Sequence, residues 1–298
     1  MSKTTVAVAG GTGSLGRTMV DALNAAGYDV VVLARKASPE TAARIGVRAV
    51  LAADYSDVDG LVKVLEDNGV HTLISTNSTL ETADDELNIM KAAERSSVTW
   101  RYIPSIWGVK STPEFEPYLP IMSIKLKIQS ALPKIDPSRL QTTAIYNGYF
   151  ADYYLDATKI PSYFQPWALS LDIPHRRAAL PLPPFSSFST PPTTLEEYKP
   201  LERKIAFNHT TDIARIVAAL LSLEHWPEEI NITNPSSVVS LTELMGMIEG
   251  VLGGEKFEVT FDGDEMLQRG EVTELPGHRE IYLGGGCCGN GGVGNGGG

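Results

Sequence analysis

Residues 6–19, "VAVAGGTGSLGRTM", set four glycines between an apolar run and the start of a helical pattern. A tight turn needs one or two glycines for positive φ, so four within seven residues imply that something comes close to the backbone. Gly11, Gly13 and Gly16 fit G-x-G-x-x-G, and Gly10, Gly13 and Gly16 fit the wider G-x-x-G-x-x-G. The strand-like "TVAVAG" enters this loop and a helical pattern leaves it, so backbone N–H groups at the helix start face an anion such as a pyrophosphate. The candidate cradle is Gly10, Gly11, Thr12, Gly13, Ser14, Leu15 and Gly16; the alternative is a glycine-rich turn with no ligand.

Outward from the loop, "DVVVLAR", "VRAVLAA", "HTLIST" and "VTWRYIP" are further short β-branched runs, separated by stretches with apolar residues at three and four spacing. This alternation specifies a parallel sheet wound by crossover helices. A helix from Leu119 to Leu132 and a sixth strand in "LQTTAIYN", 140–147, follow. The expected fold class is α/β, a Rossmann-type doubly wound parallel sheet over residues 1–150, with a smaller C-terminal substrate-binding part over 151–283. Nine of the 19 prolines fall in 161–204, which favours irregular loops covering one end of the sheet. "TTDIARIVAALLSLEHW", with Thr211 as N-cap, and "SLTELMGMIEGVLGG", capped by Ser240 and stopped by Gly253, are helices assigned to the smaller part. The last 15 residues, 284–298, hold ten glycines and almost nothing to bury, so a disordered tail is expected.

The formal charge of −11, without a local basic stripe, argues against a nucleic-acid partner. No run approaches the 18 or more apolar residues of a membrane span, so a cytoplasmic protein without membrane contact is expected. The two cysteines, Cys287 and Cys288, are adjacent, which leaves neither a disulfide framework nor a cysteine metal cluster; no metal site is expected.

The second run, "DVVVLARK", ends in Arg35 and Lys36 where an NAD-preferring site places an acid for the ribose 2′-hydroxyl. Two cations there favour the 2′-phosphate of NADPH (or NADP), the alternative being a solvated basic turn. Asp54, after the third run, either accepts from the adenine amine or caps the next segment. Ser75, Thr76 and Asn77, after the fourth, continue the crevice toward the nicotinamide. In "YLPIMSIKLKIQSAL", Ile121, Ile124, Ile128 and Leu132 share one helical arc; Lys125 falls inside it, about 40° from Ile121, while Lys127 points away. A lysine there snorkels, pairs, or lines a cleft with a lowered pKa suited to proton transfer.

"GGTGSLG", "PSIWG" at 104–108, Lys125 and "TTAIYNGYFADYY" at 142–154 together resemble the NmrA-like family of atypical short-chain dehydrogenases, which includes isoflavone reductase-like enzymes. "LDIPHRRAALP", "TTDIARIVAALLSLEHW" and "KFEVTFDGDEMLQRGEVTELP" resemble the family's fungal branch, and the likeness spans residues 3–282. The resemblance implies that Lys125 is the catalytic acid/base and lies beside the nicotinamide, with Asn147 among the cofactor contacts. The reductase motif "PSEFG" reads "PSIWG" here, with Ile106 and Trp107 at its centre. The residue four before Lys125 is Ile121, so no Y-x-x-x-K pair supplies a tyrosine proton donor. Trp107, Tyr146, Tyr149, Phe150, Tyr153 and Tyr154 form either one wall of an apolar pocket for a flat substrate or ordinary core packing. The implied function is an NADPH-dependent oxidoreductase acting on a small, aromatic or conjugated metabolite. The alternative is an NAD(P)-sensing regulator that binds a protein partner without turnover.

Overall fold

Short apolar strands separated by amphipathic helices pair in parallel, because each helix returns the chain to the same end of the sheet. The computed structural model describes residues 4–117, 121–156, 158–182, 192–269 and 271–276. Its first half runs β1 (Thr5–Ala9), α1 (Ser14–Ala25), β2 (Asp29–Ala34), α2 (Pro39–Ile45), β3 (Ala49–Ala52), α3 (Val58–Asp67), β4 (Thr72–Ser75), α4 (Asp84–Arg95), β5 (Arg101–Ile103), α5 (Ile121–Ala131) and β6 (Gln141–Thr142). The six strands form one sheet in the order β3-β2-β1-β4-β5-β6, every pair parallel. The direction of winding reverses between β1 and β4, which opens a crevice beyond their C-terminal ends. Side chains alternate between two cores: Val6, Val8, Val30 and Val32 face one, Ala7, Ala9, Val31 and Leu33 the other. A sheet covered on both faces explains why its strands read as continuous apolar runs.

The chain continues through β7 (Ala144–Tyr146), β8 (Tyr149–Phe150), β9 (Leu171–Asp172), β10 (Arg177–Pro181), α6 (Leu195–Tyr198), β11 (Ile205–Asn208), α7 (Thr210–Leu220), β12 (Glu229–Asn231), β13 (Val238–Val239), α8 (Leu241–Val251), β14 (Glu258–Asp262) and α9 (Asp264–Gln268). The single sixth strand expected over 140–147 is divided. β6 pairs with β5, whereas β7 pairs in parallel with β12. Thr143 is the joint: its N–H donates to Tyr102 O at 3.2 Å and its Oγ1 to Pro227 O at 2.7 Å.

The helix at 210–220 also differs from expectation in two respects. Its N-cap is His209, not Thr211: the His209 ring accepts from Thr211 N at 3.1 Å, while the buried Asp152 carboxylate takes Thr210 N (2.9 Å) and Oγ1 (2.7 Å). And α7 packs on α1 rather than within the smaller part, sharing a core in which Ile213, Ala214 and Val217 meet Met19, Val20 and Leu23. The smaller part has its own core around Tyr154, Leu171, Leu180, Phe207 and Met245, with the sheet β14-β10-β9 across it. α8 begins and ends as the sequence predicts: Ser240 and Glu243 form a capping box, and Gly253 turns the chain at φ +80. Part of the proline-rich segment, 183–191, and the whole glycine-rich tail, with Cys287 and Cys288, lie outside the described residues.

Candidate active site

The glycine loop closes over the ends of β1 and β4, and its glycines are required for different reasons. Gly10 sits at φ +73, with the position of a Cβ 2.9 Å from Thr76 O. On Gly11 a Cβ would meet the Val32 side chain at 2.7 Å, and on Gly16 it would meet Gly10 O at 2.3 Å and Thr76 Oγ1 at 2.6 Å. These three serve the packing of the loop and α1 on the strands. Gly13 differs: it has ordinary φ (−79°), is exposed beside Thr12 and Ser14, and its Cβ position meets only Gly10 O, at 3.3 Å. The protein's own packing demands glycine less strictly there, since Gly10 O need give way by only a few tenths of an ångström, and the open face beside the α1 N-terminus fits a group approaching from outside. Thr76 belongs to the same seam, with its N–H and Oγ1 both donating to Ala9 O, at 2.9 and 2.7 Å.

Beside the loop, Arg35 and Lys36 line a groove of about 600 Å³ together with Thr12, Ser38, Thr41 and Arg44. Among the described residues no carboxylate is paired with Arg35, Lys36 or Arg44. Arg44 was not legible as a site residue in the sequence. The available signal was that Thr41 and Arg44 are three apart on α2, hence on one face. Asp54 is exposed and its Oδ1 accepts Ser56 N (2.9 Å) and Oγ (2.7 Å), which holds its carboxyl below the usual range. The cap of α3 is Asp57 instead.

Across the crevice, α5 presents Lys125, whose Nζ donates to the Trp107 carbonyl. Gly108 makes room for it: a Cβ there would stand 3.2 Å from the amine. Burial lowers the Lys125 pKa from 10.5 to about 8, because the charged form loses its hydration. Lys127 is exposed, as its helical phase predicts. Trp107 Nε1 donates to Ser75 O at 2.9 Å, and Ser105 Oγ donates to Asn77 O at 2.7 Å, so the motif after β5 is stitched to the end of β4. Asn147 is fully buried and uses its amide within the protein: Oδ1 accepts Gly108 N at 2.9 Å and Nδ2 donates to Gly148 O at 3.2 Å.

The aromatic residues do not form one wall. Trp107 lies in the core between the sheet and α1, with Phe150 packed against that core; Tyr146 lies in the core on the opposite face; Tyr149, Tyr153 and Tyr154 belong to the smaller part. Phe150 and Tyr153 do meet, edge to face at 5.8 Å, and both touch Phe164, at 5.1 and 5.4 Å.

One buried group was missed. Glu86, in the first turn of α4, accepts from Ser75 Oγ at 2.6 Å, from Ser105 N at 2.8 Å and from the Tyr102 hydroxyl, and burial pushes its carboxyl above the usual range. In sequence it reads as the third of three acids, Asp84, Asp85 and Glu86, that complement the helix dipole. Its spacing from the buried Ile89, Met90 and Ala93 marks it as inward-facing. Among the described residues, no cluster of His, Cys, Asp or Glu could hold a metal ion, and no helix is long and apolar enough to cross a membrane.

The family model described as NmrA-like matches residues 2–274. The chain is 35% identical to Oxidoreductase BOA1 of Botryotinia fuckeliana (strain B05.10) over 74% of this chain and 67% of that protein. With Oxidoreductase swnN of Metarhizium robertsii it shares 26% identity over 93% of this chain and 82% of that protein. Among solved structures, AtPrR2 with NADP+ and (+)pinoresinol matches at TM-score 0.62 and 20% identity, over 89% of this chain and 80% of that one. The ternary complex of leucoanthocyanidin reductase from Vitis vinifera matches at TM-score 0.63 and 16% identity, over 88% of this chain and 78% of that one. With a Rossmann sheet, a glycine loop at its crevice and a family match over nearly its whole length, the chain belongs to the NmrA-like family.

Proposed function

We propose that the protein is an NADPH-dependent reductase of a small, aromatic or conjugated metabolite, with Lys125 as its acid/base. The observation that carries this reading is the Lys125 amine, drawn out of solvent at the crevice and held on the Trp107 carbonyl. A nucleotide-binding fold has no need of a desolvated lysine, whose burial costs stability.

The exposed face at Gly13 and the N–H groups of α1 suit a diphosphate, and Arg35, Lys36 and Arg44 suit a 2′-phosphate, which a guanidinium pairs with bidentately. Ser75, Thr76 and Asn77 extend this line toward Lys125. NADPH held there would supply a hydride. Lys125, still an ammonium at pH 7 because its pKa is about 8, hands a proton to the acceptor atom left negative by reduction and is recharged from solvent. Phe150, Tyr153 and Phe164 offer ring edges and faces for a flat substrate. The reductases among its relatives support the reaction class.

The test is a screen of aromatic and enone metabolites against purified protein, following NADPH absorbance. Turnover of a member of these classes is expected. Tight NADPH binding with no turnover across the screen overturns the reading in favour of a sensor that reports nucleotide state to a protein partner.

A further inference from the structure

We propose that Glu86 is a positioning residue for Lys125, fixing where the amine sits through Ser75, Ser105 and Trp107. The inference rests on the reductase reading for the importance of Lys125, but the placement itself does not depend on turnover.

Glu86 is 1% exposed and receives donors from three segments: Ser75 Oγ at the end of β4, the Tyr102 hydroxyl in β5, and Ser105 N in the loop after it. Ser75 is shared. Its side chain is on Glu86 and its carbonyl takes Trp107 Nε1 at 2.9 Å, while the Trp107 carbonyl takes Lys125 Nζ. On the far side Asn147 Oδ1 takes Gly108 N. Residues 105–108 are thus gripped at both ends, by Glu86 and by Asn147, and the lysine is attached between the grips. A buried carboxyl is a costly way to fill this volume. The neighbouring Ile89 and Ile106, each 1% exposed or less, fill equivalent volume with hydrocarbon. What an apolar residue would not provide is an acceptor common to both strand ends. The titratable groups facing Glu86 are Tyr102 from β5, Tyr55 from the loop after β3, and Asp85 on its own helix.

The experiment follows the Lys125 ¹³Cε chemical shift through pH in the lysine-labelled full chain, assigned with Lys125→Arg, for wild type, Glu86→Gln, Glu86→Leu, Ser75→Ala and Trp107→Phe. Glu86→Gln keeps an acceptor for Tyr102 and Ser105, so the Lys125 midpoint is expected to stay within about 0.3 pH units of wild type. Glu86→Leu removes every acceptor and is expected to raise the midpoint by about one unit or more as the amine relaxes into water. Where a substrate is in hand, kcat falls about tenfold with KM for NADPH changed less than about twofold. Trp107→Phe removes the link to Ser75 O together with part of the indole's packing, and is expected to move the midpoint the same way. An unchanged midpoint in folded Glu86→Leu overturns the proposal, as does a lower melting temperature without movement of Lys125. If Glu86→Leu does not fold, unchanged midpoints in both Ser75→Ala and Trp107→Phe overturn it. A midpoint that moves in a protein that reduces nothing overturns the reductase reading and leaves the placement standing.

Discussion

Gly16 and Gly10 approach so closely that a Cβ on Gly16 would lie 2.3 Å from the Gly10 carbonyl oxygen, with Thr76 Oγ1 at 2.6 Å. No side-chain rotation relieves a clash with a backbone oxygen, so Gly16→Ala must push α1 away from the strand ends. The expected cost is about 1–3 kcal/mol, read as a fall in denaturation midpoint at unchanged m-value. Gly13→Ala should behave differently, since its nearest neighbour is Gly10 O at 3.3 Å. Its melting temperature should stay within about 2 °C of wild type while NADPH affinity falls about tenfold or more. Equal melting losses in the two variants would show that the open face at Gly13 is not a ligand face.

The basic groove makes a second prediction. Arg35, Lys36 and Arg44 have no carboxylate partner among the described residues, so their charge is available to a 2′-phosphate. Calorimetry should show NADPH binding tighter than NADH. Arg35→Asp and Arg44→Ala should each remove about 1–3 kcal/mol of that preference and leave NADH affinity nearly unchanged. Equal affinity of the wild type for both nucleotides would refute the assignment.

Asp152 supports the third. Its carboxylate accepts from Thr210 N, Thr210 Oγ1 and Ser162 Oγ, tying the start of α7 and the segment after β8 to one buried point. Asp152→Ala leaves those donors without their acceptor, at about 2–3 kcal/mol, or a melting temperature lower by about 5 °C or more. A loss below about 1 °C would mean that water replaces the carboxylate.

The parts of this molecule legible in sequence are those set by neighbours in the chain. Gly10 to Gly16, the alternating strands and the Ser240 cap each depend on residues a few positions away, so their pattern is local. The division at Thr143 was hidden because its second partner, Pro227, lies 84 residues downstream. α7 carries a clear amphipathic pattern, but that pattern does not say which surface covers it, and the surface is α1. Glu86 was hidden because a buried acid and a dipole-matching acid look alike in a first helical turn. The aromatic run at 146–154 leaves a pocket wall and ordinary core packing open in sequence, because continuity along the chain does not tell that successive strand residues point to opposite faces and so into separate cores.

The proposed acid/base role of Lys125 and the cost of burying its amine are separable by substitution. Its amine keeps a proton up to about pH 10.5 in the unfolded chain but only to about pH 8 in the folded one. Between those values the unfolded state binds more protons, so stability rises with pH across the window; below about pH 8 the full burial cost is present. Lys125→Met keeps the length and apolar stem while removing that cost, though it also leaves the Trp107 carbonyl without its donor. The expected net effect at pH 7 is a gain of about 1 kcal/mol that shrinks as pH rises above about 8 and reverses before pH 10.5, with NADPH affinity within about 1 kcal/mol of wild type. Turnover should vanish. Because reduction consumes a proton, the wild-type rate should fall as pH rises through about 8, when the ammonium is lost. A Lys125→Met protein that still reduces substrate at the wild-type rate would remove Lys125 from the mechanism. A rate that climbs through pH 8 would mean that the neutral amine acts as a base instead.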